Sequence, residues 1–228
     1  MKWRWYLVLF LLFCLAIFQQ TGMAEAGDQF PAPTWMEKTA VADEMLIHGR
    51  SSKVIYFQAN RGVDAVLAYY RQRWNDGSPG HPGYREKTFP PWTVISRLDG
   101  LRLFTVQVKG DGEHASGYLA ETNLKSSKKS ALRMDIPKMS GSRILNDLTS
   151  RDPGQIGRTI LITNHHSLEA NNQFYRNYYR EHGWANLADI AAEKGQTLVY
   201  AHDGQEAHLV IMPGYNTTNV VITVIEKE

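Results

Sequence analysis

The chain has 228 residues, a formal charge of +2 and 43% hydrophobic residues. That length and apolar content give one sizeable domain or two small ones with proper cores, and near-neutrality excludes a general electrostatic grip on nucleic acid or on an anionic membrane. Its single cysteine, Cys14, lies in an apolar N-terminal run. Once that run is removed, neither a disulfide nor a thiolate metal site can form.

Lys2 and Arg4 precede an unbroken apolar stretch from Tyr6 to Phe18 that stops at Gln19-Gln20. The stretch is shorter than the roughly 20 residues of a bilayer-spanning helix. It therefore reads as a secretory signal peptide over residues 1–26, with Ala24 and Ala26 placed for cleavage before Gly27. Bulky Phe13 directly before Cys14, inside the run, argues against lipidation. An exported, cysteine-free mature chain points to a periplasmic or secreted protein of a bacterial envelope, because small eukaryotic secreted domains more often lean on disulfides. A leader kept uncleaved is the only membrane attachment expected.

Residues 27–44 carry Pro31, Pro33 and Trp35 without a period, which predicts an extended segment. Beyond it, one order of elements occurs twice. In the first stretch, a strand at Val54–Ala59 leads to a helix over Val63–Trp74, where Val63, Val66, Leu67, Tyr70 and Trp74 recur at helical spacing. In the second, a strand at Thr159–Thr163 leads to a helix from about Ser167, its N-cap, to His182; Leu168, Tyr175 and Tyr178 share a face and Gly183 ends it. Both helices close on Tyr-Tyr-Arg followed by a tryptophan: Tyr69, Tyr70, Arg71 and Trp74, then Tyr178, Tyr179, Arg180 and Trp184. Tyr69 and Tyr179 fall beside the apolar stripes and are expected to be partly exposed.

Three strands follow each helix. Thr93–Leu98, Leu101–Val108 and Ser116–Thr122 are separated by Asp99-Gly100 and Asp111-Gly112; Thr197–Ala201, His208–Met212 and Asn219–Ile225 are separated by Asp203-Gly204 and Pro213-Gly214. The expected domains are a first unit over 45–124, a polar basic linker over 125–138 and a second unit over 139–228. The expected fold class is α+β: two related strand-helix-three-strand units with mainly antiparallel sheets and helices packed on one face, in a pseudo-two-fold arrangement. The match is imperfect in two places. Ala185–Lys194, with Leu187, Ile190 and Ala191, reads as helical, and the Gly/Pro-rich stretch Asn75–Pro91 reads as an irregular loop that the second copy lacks.

Chemical signatures are sparse. No Gly-x-Ser-x-Gly elbow occurs, and the spacing gives His165-His166 no serine or acidic companion, although a base could stand between strand and helix. The eight histidines include no His-x-x-x-His on a helix, and Asp99, Asp111 and Asp203 each precede glycine, where turn geometry explains them. No metal and no cofactor is expected. A loop that one copy can do without is a place for added function, and its contact groups would be His81, Tyr84, Arg85 and Trp92.

The sequence thus points to a non-catalytic exported protein that binds an envelope protein partner, as an accessory component of an envelope, secretion or surface-appendage assembly. Docking would use a strand edge, the cleft between copies, or the Asn75–Pro91 loop. One alternative is a small-ligand or cell-wall glycan binder using Trp92, Tyr84 and Tyr118. A second is a hydrolase with His165, His166 or His202 as its base.

Overall fold

The computed structural model describes residues 30–42, 44–77, 83–110, 112–125 and 136–227. The leader, His81, Asp111 and most of the expected linker lie outside these residues. In chain order the elements are β1 (Met36–Ala40), β2 (Glu44–Ile47), β3 (Arg50–Ala59), α1 (Val63–Arg73), β4 (Arg85–Phe89), β5 (Trp92–Asp99), β6 (Arg102–Gly110) and β7 (Ala115–Asn123). After them come β8 (Arg143–Asp152), β9 (Gln155–Asn164), α2 (Leu168–Glu181), β10 (Ala185–Ala192), β11 (Gly195–His202), β12 (Gln205–Gly214) and β13 (Thr217–Lys227).

Strands make up 59% of the described residues, against two short helices of 11 and 14 residues. The α+β expectation of strand-helix-three-strand units is therefore overturned: the protein is mostly antiparallel β. The physical reason lies in two strands whose sequences disguise them. Residues 85–89, Arg-Glu-Lys-Thr-Phe, are charged and follow a run of glycine and proline, yet they form β4, hairpin-paired to β5 across Pro90-Pro91. Residues 185–192 form β10 with a bulge between Asn186 and Ala188, and the extra residue shifts the apolar positions from a period of two to an apparent helical spacing.

Two compact units divide the chain, one including residues 50–128 and the other residues 129–228 together with 46–49. The first unit orders its strands β4-β5-β6-β7-β3, with β1 also pairing β3. In the second, the order is β10-β11-β12-β13-β9-β8. Each therefore contains a strand, a helix and a four-stranded meander whose last strand returns beside the strand that precedes the helix. In this correspondence β4 matches β10, and the loop before β4 is an elongated helix-to-strand connection.

Alternation builds the first core. Phe57 and Ala59 of β3, Val106 and Val108 of β6, and Ala115 and Leu119 of β7 face the same way, and Val66, Leu67 and Tyr70 of α1 lie over them. The segment expected to be merely extended belongs to this core. Phe30 packs edge-on against Tyr70, Trp74 and Phe104 with centroids 6.1, 6.5 and 5.4 Å away, and the Tyr70 hydroxyl donates to the Pro31 carbonyl at 2.9 Å.

The second core joins Ile160 and Ile162 of β9, Leu198 and Tyr200 of β11, Leu209 and Ile211 of β12 and Val220 and Ile222 of β13 to Tyr175 and Tyr179 of α2. Tyr179 is 2% exposed, so the expectation that it is partly open is corrected; Tyr178 is the half-buried one. Its stripe runs through Asn171, Asn172, Tyr175 and Tyr179, and two buried asparagines hide that stripe from a hydropathy pattern. The Tyr179 ring stacks on Tyr200 at 4.5 Å and 9°.

Ser167 caps α2 as its residue type demands, accepting from the Ala170 N–H at 3.1 Å. At the other end Gly183, at φ +76°, turns the chain back; the Trp184 N–H donates to the Tyr179 carbonyl at 2.9 Å and the Gly183 N–H to Arg180 at 3.1 Å. These bonds close a Schellman motif, completed by the Tyr179–Trp184 ring contact at 5.2 Å.

Candidate functional site

Among the described residues, strand β10 is the outermost strand of the second unit's order, paired on one side to β11. Its partners in register include Ala188 with Val199, Asp189 with Leu198, Ile190 with Thr197 and Ala191 with Gln196. Leu198 faces the helix side and is fully buried, so Asp189 shares that side while Ala188 and Ile190 lie on the opposite face. Ile190 is 58% exposed and Leu187, at the bulge, 59%.

Asp189 is the strand's one charged residue, and it is already occupied. Arg176 of α2 donates to it through Nε at 2.8 Å and Nη2 at 3.0 Å, and the Gln196 side-chain amide donates to the same carboxylate. The hydrogen bonds from Arg176 hold the Asp189 carboxyl below the usual carboxylate range. What remains of the edge is a neutral, largely apolar ribbon with backbone groups turned outward.

The corresponding edge of the first unit is built differently. β4 has five residues against eight in β10, and Arg85, Glu86 and Lys87 replace the alanines, leucine and isoleucine. Glu86 is fastened to α1 by Arg71, at 2.8 and 2.7 Å. Short length and charge are the usual means of discouraging strand addition. One edge is guarded and the other is not.

Of the four residues singled out by sequence, the three that are described do not form a single surface. His81 lies outside the described residues. Tyr84 packs on the first core from the helix side, whereas Arg85 and Trp92, in β4 and β5, point to the opposite face. Trp92 is 7% exposed, with the Lys109 ammonium 4.8 Å from its ring centre and Tyr118 at 6.4 Å. Tyr118 in turn meets Tyr56 at 5.5 Å. Trp92 and Tyr118 therefore adjoin, but little of the indole is open to a sugar, and Tyr84 is on the other side.

Two of the histidine candidates, His165 and His166, are held by the backbone. His165 Nδ1–H donates to the Asn216 carbonyl at 3.0 Å and His166 Nε2–H to Ser140 at 2.9 Å, which pins the strand-to-helix turn. His202 approaches the exposed Asp203 at 3.3 Å, and His208 approaches Glu206 at 3.3 Å. Among the described residues no three metal-ligating side chains gather.

A separate hollow of about 370 Å³ opens in the first unit between Pro31, Arg73, Trp74, Arg97, Asp99 and Phe104. Arg97 is ion-paired to Asp76 at 2.7 Å. The β10 edge was missed in the sequence because its bulge mimics helical spacing; the one available signal was the single charge in eight residues.

No family model matches this chain. Searches of the curated proteins and of the solved structures likewise find no match.

Proposed function

We propose that this is a non-catalytic exported protein that binds protein by strand addition at β10, as an accessory component of an envelope assembly. The observation that carries the reading is the contrast between the two outer strands. β4 shows that the unit folds with a short, charged edge, so the length and apolarity of β10 serve something other than folding. Export is supported by the basic, then apolar, then small-residue order of residues 1–26.

The test places a photo-crosslinking residue at Ile190 in cells and compares it with one at Tyr215, a turn residue that is 78% exposed. A discrete adduct at Ile190 alone, abolished when Leu187 is replaced by Lys, is the expected result. Equal labelling at both positions, or none, sinks the reading. Cell fractionation and N-terminal sequencing test the other half, with Gly27 expected as the first residue of an envelope-located protein.

The hollow beside Trp74 and Phe104 favours a second reading, a small-ligand binder. Apolar walls with two guanidinium groups and a carboxylate suit a small amphoteric molecule. Tryptophan emission titrated with short peptides and with amino-sugar oligomers, against Arg73→Ala and Arg97→Ala, separates the readings. Unchanged spectra remove this one.

A further inference from the structure

We propose that the occupant of the β10 edge is a second copy of this chain, joined β10 to β10 in antiparallel register about a two-fold axis through Ile190. This rests on the docking reading of the edge and names its partner.

The bulge fixes where self-pairing can occur. Between Asn186 and Ala188 the register with β11 shifts, and from Ala188 to Ala192 it runs without interruption to Gly195. A bulged stretch twists away and resists addition of a strand, so the straight residues 188–192 are the usable part. Ile190 is their centre.

Residues directly opposite across an antiparallel pair share a face of the sheet, so a two-fold axis normal to the sheet must set a residue opposite its own copy rather than opposite its neighbour. With the axis at Ile190, that side chain meets the partner's Ile190, Asp189 meets the partner's Ala191, and Ala188 meets the partner's Ala192. An axis at Asp189 would carry the bulged Leu187 and Asn186 into the pair, opposite the partner's Ala191 and the partner's Ala192. An axis at Ala191 pairs fewer of the straight residues. Only the register centred on Ile190 pairs the whole straight segment with itself.

Charge points to a self-complement as well. Asp189 is neutralised within its own unit by Arg176, so the edge offers no charge for a foreign strand to answer. A neutral, alternating segment finds its complement in an identical one, and a symmetric pair is closed, so it terminates instead of growing into a fibre. Ile190, more than half exposed in the single chain, would lose most of that exposure against its counterpart.

The full chain contains one cysteine, which makes the test direct. In a Cys14→Ser background, Ile190→Cys is exposed to copper phenanthroline, with Tyr215→Cys as the control. Opposed residues of an antiparallel pair have Cα atoms roughly 4.5–5.5 Å apart, within disulfide reach. The expected result is a covalent dimer from Ile190→Cys and none from Tyr215→Cys. Light scattering of the Cys14→Ser protein should give twice the chain mass, and Ile190→Lys, with an unchanged circular dichroism spectrum, should give the chain mass itself. A single-chain mass together with no Ile190 disulfide overturns the dimer, and so does a double mass that Ile190→Lys leaves intact. If the dimer fails while photo-crosslinking at Ile190 still captures a different protein, the docking reading stands without it; if both fail, the docking reading falls too.

Discussion

Arg176 of α2 grips Asp189 of β10 with two parallel hydrogen bonds, and so fastens the helix to the outermost strand of its own sheet. Arg71 of α1 does the same to Glu86 of β4. The two arginines do not occupy matching places. Arg71 stands three residues before Trp74, whereas Arg176 stands eight before Trp184, more than one helical turn earlier relative to the closing tryptophan. Each unit ties down its last strand from a different point on its helix, which suits a mechanical requirement: an edge strand with one neighbour needs a second anchor.

Replacing Asp189 with Asn removes the ion pair and keeps the shape. Both side chains are about one-third exposed, so solvent screens the pair and the expected loss is about 0.5–1 kcal/mol at neutral pH. The pH dependence has a definite sign. The folded carboxyl titrates below its ordinary 3.8, so its contribution is complete above that value and fades as pH falls through the lowered folded one. Urea unfolding of both proteins should show a gap that is constant from pH 7 to 5 and shrinks below about pH 4. Amide exchange across β10 should quicken in the variant. A gap that widens in acid would refute the linkage.

Two glycines predict two scales of damage. At Gly183 the backbone is left-handed, and an added Cβ would find only His202 Cε1, at 3.7 Å. Gly183→Ala therefore pays only the conformational penalty, about 1–2 kcal/mol. At Gly117, in β7, a Cβ would stand 1.8 Å from the Gln107 carbonyl oxygen of β6. No rotamer change relieves a clash with backbone, so Gly117→Ala should cost about 3 kcal/mol or more by forcing the two strands apart. Denaturation midpoints of the two variants give the comparison; equal shifts would refute it.

Much of the chain's local order was legible because its causes are local. The apolar alternation of Phe104, Val106 and Val108 set β6, and Ser167 and Gly183 marked the ends of α2 by capping chemistry. Even so, the Gly100 turn is placed one residue later than Asp99-Gly100 suggests, and β12 runs through Pro213-Gly214 to a turn at Tyr215-Asn216. What escaped depends on neighbours distant in sequence. Residues 85–89 are a strand because β5 offers them a hydrogen-bonding edge, and nothing in Arg-Glu-Lys-Thr-Phe announces it. Met36 to Ala40 are a strand for the same reason, lying along Ile55 to Ala59. The candidate site suffered likewise: Trp92 was read as a loop aromatic, but its place at the start of β5 puts it under Lys109, and β10 took on a helical look from one bulged residue.

Asn171 and Tyr175 sit one turn apart on the buried face of α2 and predict stability changes of opposite sign. Asn171 exchanges side-chain hydrogen bonds with Asn164 at 2.8 and 3.0 Å and donates to the Ser167 carbonyl at 2.9 Å. Asn171→Leu removes two bonds from the buried Asn164 amide, leaving it the Ser142 hydroxyl at 3.3 Å and the His166 N–H at 3.1 Å, and the expected cost is about 1–2 kcal/mol. The Tyr175 hydroxyl, by contrast, is buried with no hydrogen-bond partner among the described residues. Burial pushes its ionisation well above the ordinary tyrosine range. Tyr175→Phe deletes that unsatisfied group and should stabilise by about 1 kcal/mol, measured as a raised urea midpoint at unchanged slope. The buried Asn172 side-chain oxygen, three residues earlier on the same side of the helix, likewise has no partner among the described residues. A lowered midpoint for Tyr175→Phe would refute this prediction.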